Sequence, residues 1–308
     1  MSGEQAYKTI TYEKDKEVPN ILYVTLNRPE VNNAISIGED EMTGELKDAM
    51  KRANYDDEVK VVIFRGAGRN FSAGFDLSMV YRVYGGAPDR KPNQRMRLQT
   101  DQDQLYGFPR AILDCNKVTI CQIHGWCIEA GLYLVKASDL AIAADNAKIS
   151  QRGQRLAFGG LPILPLEMFM GHTKKMTEFI LTGRTLSGTE AEEIGIVNKA
   201  VPPEDLETEV YKLAKAISIL PRDAIVMGKV ARRHTLSALG MDRLSEVIVY
   251  HTLSTNIHYT NDEKDLMFIR DREEMGHREA FHKLHEKYEA ALEETKYFKS
   301  FRPPKVNR

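Results

Sequence analysis

Two stretches, Phe71-Ser72-Ala73-Gly74-Phe75-Asp76-Leu77 and His124-Gly125-Trp126-Cys127-Ile128-Glu129-Ala130-Gly131-Leu132-Tyr133, decide the reading of this chain. Each sets a turn of small residues behind an apolar run, Lys60–Phe64 before the first and Val118–Ile123 before the second. A strand that ends in such a turn leaves backbone N–H groups without a strand partner. Two such groups aimed at one carbonyl oxygen form an oxyanion hole, which stabilises an enolate or a tetrahedral intermediate. If the two turns meet, the chain is an enzyme that works beside a carbonyl.

Working outward, Ile21–Leu26 reads as a strand closed by Asn27-Arg28-Pro29. Met42, Leu46 and Met50 recur at helical spacing and predict a helix over Gly38–Asn54. Lys60–Phe64, Val118–Ile123 and Leu140–Ala144 are short apolar runs bounded by Gly or Asp-Asn turns, the pattern of strands buried on both faces. Gly131–Ala137 reads as the start of a buried helix. The alternation predicts an α/β architecture with right-handed crossovers. The polar insertion Tyr81–Asp101, with Gly85-Gly86 and two prolines, reads as a mobile loop placed to cover a site. From Leu206 the pattern turns helical over Glu207–Leu220, Asp223–Leu239 and Asp242–Asn256, and the stretch Glu273–Lys296 is dense in Glu, Lys and His. The expected division is therefore residues 1–204 as the α/β core and 205–308 as a helical region that packs on a neighbouring subunit. Ser300–Arg308 is expected to fray.

Composition narrows the class. Forty-three basic residues face 44 acidic ones, a net charge of -1, without the basic surplus that nucleic-acid binding needs. No run approaches the ~18 apolar residues that span a membrane, and Met1–Lys16 is polar with no apolar signal core, so a cytoplasmic protein without membrane partners is expected. Cys115, Cys121 and Cys127 are odd in number and contain no CxxC pair, which predicts reduced, buried thiols. The histidines show neither HExxH nor Cys–His zinc spacing, so no metal site is expected, and His282 and His285 read as a solvated helix face.

Several further motifs fall in one order. Leu26-Asn27-Arg28-Pro29 and Gly66-Ala67-Gly68 lead to the first turn; Lys117–Gly131 and Ser138-Asp139-Leu140-Ala141-Ile142-Ala143 frame the second. Leu181-Thr182-Gly183-Arg184, Ala191, Gly195-Ile196-Val197 and Met275-Gly276 with Ala280-Phe281 follow. Together they resemble the crotonase (enoyl-CoA hydratase/isomerase) superfamily over about residues 20–290. The resemblance implies a crotonase-like spiral of ββα turns with a helical C-terminal region, assembled as a homotrimer or homohexamer. It implies an acyl-CoA substrate, with coenzyme A as part of the substrate and no separate cofactor. It also implies that the N–H groups of Phe75 and Ala130 are the oxyanion donors and that Ala73 contacts substrate.

The chain departs from that family where its hydratases carry two glutamates. The matching positions hold Tyr133 and, near the second, Gly153. Neither a phenol of ordinary pKa near ~10 nor a glycine replaces a carboxylate base at pH 7. The resemblance thus implies atypical hydration, isomerisation or C–C cleavage rather than two-glutamate hydration. Glu129, directly before the second donor, is either an acid/base of raised pKa in an apolar pocket or a carboxylate that points to the surface or pairs with Lys136, Arg152 or Arg155. Tyr133 is either a proton donor or a buried aromatic. Gln151, Arg152 and Arg155 read as a clamp for a substrate carboxylate or as a surface loop. His124 is expected to be a satisfied, buried histidine and Asp76 a helix cap. Glu30-Val31-Asn32-Asn33 offers no base for CoA phosphates, which leaves Arg278, Lys283 and Lys287. The alternatives are a CoA-independent β-diketone hydrolase acting by retro-Claisen cleavage and an inactive acyl-CoA-binding paralogue.

Overall fold

The computed structural model describes residues 7–79, 92–156, 171–240, 244–256 and 267–304. Along the chain the strands are β1 (Ile10–Lys14), β2 (Ile21–Leu26), β3 (Val61–Gly66), β4 (Val118–Ile123), β5 (Trp126–Ile128), β6 (Leu140–Ala144), β7 (Lys148–Ser150) and β8 (Lys199–Val201). The main sheet runs β1-β2-β3-β4-β6-β8, parallel throughout except for the antiparallel edge strand β1. Val61, Val62, Ile63 and Phe64 are all fully buried, so side chains on both faces of β3 meet apolar neighbours, as the unbroken apolar run predicts. Leu22 stands opposite Val62 and Val24 opposite Phe64 in the parallel register of β2 and β3.

A second, small sheet produces the spiral. After β4, Gly125 at φ +57° turns the chain off the main sheet into β5, which pairs in parallel with β7. A bridge from Ser72 to Cys127 extends that pairing on one side, and a bridge from Ile149 to Leu186 extends it on the other. Each turn of the chain thus gives one strand to the main sheet and one extended piece to the small one, the ββα repeat of a crotonase-like fold.

The helices are α1 (Met42–Tyr55), α2 (Gln94–Thr100), α3 (Gly107–Asp114), α4 (Ala130–Ala137), α5 (Thr173–Thr182), α6 (Gly188–Glu193), α7 (Leu206–Ser218), α8 (Arg222–Ala238), α9 (Leu244–Asn256), α10 (Met267–Met275) and α11 (His277–Glu293). Leu206, Val210 and Ala214 of α7 join the large core that also holds β2, β3 and β4. A separate small core of Leu156, Phe268, Ala280 and Leu284 ties α10 and α11 to the segment after β7. Among the described residues no helix is long and apolar enough to cross a membrane.

The structure corrects three expectations and adds a strand. The first helix begins at Met42 rather than Gly38, because the Met42 N–H goes to Ser36 Oγ at 3.1 Å and Gly38 turns at φ +154°. The stretch read as a mobile loop over Tyr81–Asp101 contains α2 and leads into a π-helical turn, Asp101–Leu105; residues 80–91 lie outside the described residues. Strand β1, on which the sequence reading is silent, is a half-covered edge strand with only weak alternation. The start of the tail expected to fray is anchored: the Phe301 N–H donates to Thr185 O at 2.7 Å, and Ser300 Oγ accepts the Thr185 N–H at 3.1 Å; residues 305–308 lie outside the described residues.

The α2–π turn carries a fully buried ion pair, Arg97 Nη1 to Asp101 Oδ1 at 2.7 Å. Thr252 Oγ1 of α9 donates to Asp101 Oδ2 at 2.7 Å and so ties a C-terminal helix to this pair. Burial pushes the Asp101 carboxyl up to about 6, against the opposing pull of Arg97 and Thr252. Removing one partner of such a pair leaves an uncompensated charge in the interior. Asp101→Ala is expected to cost about 3–5 kcal/mol in urea unfolding, while the double change Arg97→Met with Asp101→Leu recovers most of that loss.

Candidate active site

The two turns meet backbone to backbone. The Ser72 N–H donates to Trp126 O at 2.9 Å and the Ile128 N–H to Ser72 O at 3.0 Å. A Cβ on Gly74 would lie 3.0 Å from both Glu129 Cβ and Ile128 O, and one on Gly131 would lie 3.0 Å from Ser72 Cβ. A side chain at either position would crowd the other turn, and Gly74 also sits at φ +88°, where a β-carbon is strained. On the far side of the first turn, the Ile35 N–H donates to Gly74 O at 2.7 Å and the Asp76 N–H to Ile35 O at 2.9 Å. That pairing leaves the Phe75 N–H facing away from Ile35, with no acceptor among the described residues. Ala130 opens α4, so its N–H has no carbonyl one helical turn back, and none elsewhere among the described residues.

Between these donors stands Glu129, at φ +46° and ψ −110°, a backbone conformation that favours glycine and costs a β-carbon residue about 1–3 kcal/mol. Its own N–H donates to Ser150 O at 3.2 Å and its carbonyl accepts the Leu132 N–H at 2.8 Å. Its carboxylate accepts the Arg152 N–H and, at 3.1 Å, the Gln151 Nε2 amide. The side chain is thereby held in a cavity of about 350 Å³.

Ala73, Phe75, Glu129, Tyr133 and Arg152 all line this cavity. So does Gly153, which means that both positions where the resemblance implies a glutamate, Tyr133 and Gly153, lie on its wall without one. Tyr133 is buried, edge-on to Phe75 at 5.7 Å between ring centroids and stacked on Phe108 at 6.4 Å. Asp76 also reaches the wall. Its Oδ1 accepts the Ser78 N–H at 3.1 Å, as a helix cap does, and its Oδ2 accepts both Arg28 Nη groups at 3.0 Å. Burial alone would raise this carboxyl, but Ser78 and Arg28 together hold it below its ordinary value.

The expected substrate clamp is not assembled. Ala130 and Gln151 are buried behind the wall, Gln151 joining Glu129 to Lys136 Nζ, which donates to its Oε1 at 3.4 Å. Arg152 donates from Nε to Ser150 Oγ at 2.8 Å and from Nη2 to Thr185 Oγ1 at 2.9 Å, and lies over Trp126 at 5.4 Å. Arg155 does not line the cavity and is not on the surface. It is buried, donating from Nε and Nη2 to Thr182 O at 3.0 and 2.7 Å and from Nη1 to Glu289 Oε1 at 2.9 Å and to His285 Nδ1 at 3.2 Å. Two adjacent arginines cannot close on one carboxylate when one of them is spent on fastening α11. His285 is accordingly buried rather than part of a solvated face, whereas His282 is exposed. His124 is half-buried and satisfied by Gly68 O at 3.0 Å. Lys283 of α11 is paired with Asp271 at 2.9 Å. The three cysteines are free and buried, and burial pushes the Cys121 thiol up to about 12, far from nucleophilic use.

One titratable lining residue escaped the sequence reading. His251 of α9 is 4% exposed and faces the same cavity, as does Phe281 of α11. Its one sequence signal is a histidine in the mostly apolar run Val247-Ile248-Val249-Tyr250-His251, which periodicity assigns to a packed helix.

Residues 16–266 match the enoyl-CoA hydratase/isomerase family. The chain belongs to that family. It is 32% identical over 238 residues to the Mycobacterium tuberculosis protein EchA13, named as an enoyl-CoA hydratase, covering 71% of this chain and 72% of that one. It is 30% identical to the hydroxycinnamoyl-CoA hydratase-lyase of Pseudomonas fluorescens, covering 73% and 77%. A crystal structure of an enoyl-CoA hydratase/isomerase from Xanthobacter autotrophicus superposes with a TM-score of 0.77 at 28% identity, covering 92% of this chain and 99% of that one. The enoyl-CoA hydratase/isomerase fold thus accounts for the spiral, and Glu129, Tyr133 and Gly153 lie on the wall of its cavity.

The Arg155–His285 contact predicts a pH dependence. Burial above all, then the charges of Arg152, Arg155 and His282, pull the His285 imidazole down to about 3. In the unfolded chain it takes up a proton near its ordinary 6.5. The unfolded state therefore binds the extra proton between those values, so this contribution is complete above pH ~6.5 and is lost as pH falls toward 3. In thermal melts across that range, His285→Gln, which keeps an acceptor for Arg155, is expected to show a shallower acid decline than the unmodified chain.

Proposed function

We propose that this enzyme forms the enolate of an acyl-CoA thioester, held by the N–H groups of Phe75 and Ala130, with Glu129 moving the proton. The observation that carries the reading is the backbone contact of the two turns. It places two N–H groups that find no acceptor among the described residues next to Glu129, whose side chain lines the cavity. Glu129 takes a proton from C2, the C–H electron pair becomes the C1–C2 bond of the enolate, and the carbonyl oxygen takes the charge. Each oxyanion donor is typically worth about 3–4 kcal/mol of barrier. Tyr133 and Ala73 shape the wall, and Arg152 sets Glu129 through its N–H. The products are those of atypical hydration, a double-bond shift or C–C cleavage. The hydratase-lyase name of the Pseudomonas fluorescens relative supports including the last.

Coenzyme A enters as part of the substrate, with no separate cofactor. Exposed apolar side chains on α8 and α9, among them Met227, Val249, Tyr250 and Leu253, support a homotrimer or homohexamer. Three free, buried cysteines support a reducing, cytoplasmic location.

Incubation with butyryl-CoA in D2O, followed by NMR, tests the reading. Deuterium is expected to replace the C2 protons, and Glu129→Gln to slow that exchange by about 10²–10⁴-fold. Glu129→Gly is expected to lose exchange equally while keeping or raising the melting temperature, because the φ strain is relieved. Cleavage of a cyclic 1,3-diketone without any acyl-CoA exchange would identify a CoA-independent hydrolase instead. Tight acyl-CoA binding with neither reaction would identify an inactive paralogue.

A further inference from the structure

We propose that His251 is a further catalytic residue of this cavity, the proton donor that works against Glu129. The proposal rests on the enolate reading above. The titratable or charged side chains described on the wall are Asp76, Glu129, Tyr133, Arg152 and His251. Asp76 is held by Arg28 and Ser78 and stays ionised. A guanidinium does not release a proton and a phenol ordinarily does so only near pH ~10, whereas a carboxylic acid titrates near ~4.3 and an imidazole near ~6.5. Glu129 and His251 are thus the two wall groups whose chemistry suits proton transfer near neutral pH.

The imidazole is also placed with rigidity. His251 is buried on α9, and the next residue, Thr252, donates to Asp101 at 2.7 Å, while Asp101 is paired with Arg97 in a fully buried contact. The π turn that carries Asp101 ends at Leu105, which lines the cavity and packs with Ile37 against Phe75. An ion pair that costs desolvation thereby fixes the histidine relative to an oxyanion-donor residue. Among the described residues, the charged groups that line the cavity with His251 are Asp76, Glu129 and Arg152; the Asp101–Arg97 pair is bonded to the next residue of α9, Thr252, and α11 presents Phe281.

For a 3-enoyl thioester the step balances as follows. Glu129 takes the C2 proton and the C–H pair forms the dienolate, its charge on the thioester oxygen. As that oxygen restores the carbonyl, the C1–C2 pair becomes the C2–C3 double bond and the C3–C4 pair takes a proton from the His251 imidazolium at C4. Water then accepts the proton from Glu129 and returns one to His251, leaving a 2-enoyl thioester.

The probe is trans-3-hexenoyl-CoA in D2O, with C2 exchange and C4 deuteration followed separately by NMR. His251→Gln and His251→Asn, each checked for an unchanged melting profile, are expected to cut C4 deuteration by about 10²–10⁴-fold while C2 exchange persists. The alkaline fall of the wild-type isomerisation rate, from loss of the imidazolium proton, is expected to vanish in both. Isomerisation within about threefold of wild type, with the same pH profile, overturns the proposal and leaves the enolate reading standing. So does C2 exchange in wild type without any deuterium at C4. Absence of C2 exchange in wild type overturns the enolate reading and this proposal with it.

Discussion

Everything else in this structure depends on the contact between the backbones of two turns. Ser72 bridges Cys127, and Gly74 and Gly131 let the chains approach to distances that a β-carbon would block. Hydrogen bonds hold the N–H groups of Phe71, Ser72, Ala73, Asp76, Ile128 and Glu129, whereas those of Phe75 and Ala130 find no acceptor among the described residues. Buried N–H groups without a partner are costly and rare in proteins. Their survival here is understandable if a ligand oxygen completes them.

The same contact sets the position of Glu129. A residue with a β-carbon takes up a glycine-like conformation, and the surrounding bonds from Ser150, Leu132, Gln151 and Arg152 hold it there. Strain maintained by its neighbours is a mark of functional positions. The carboxylate lines the cavity, and Gln151 links it to Lys136.

The helical C-terminal region completes the cavity from above through two buried polar fastenings. Arg97, Asp101 and Thr252 seat α9, and with it His251. Arg155, His285 and Glu289 seat α11, and with it Phe281. Each fastening places charge in the interior, which hydrophobic packing alone would avoid. Each therefore spends stability to fix where a wall residue stands, and each ties the cavity to residues distant in sequence.

The sequence by itself determined the strand and helix order, the two glycine turns, the family they resemble, and the absence of glutamate at Tyr133 and Gly153. These are legible because they are local. An unbroken apolar run, a small-residue turn or a missing carboxylate can be read without knowing what lies opposite. Strand β1 was illegible because half-covered edge residues dilute the period-two signal, and α2 because a polar, glycine-flanked stretch takes its helical form from packing on α9 and the π turn. The roles of Arg155 and His251 were decided only by the tertiary structure. Arg155 faces partners more than a hundred residues away in α11, and His251 lines the cavity from α9, which packs on the turn that carries Asp101 and is bonded to it through Thr252. A side chain's chemistry is written in its own codon, but whether it binds a substrate or a helix depends on which distant segment folds against it.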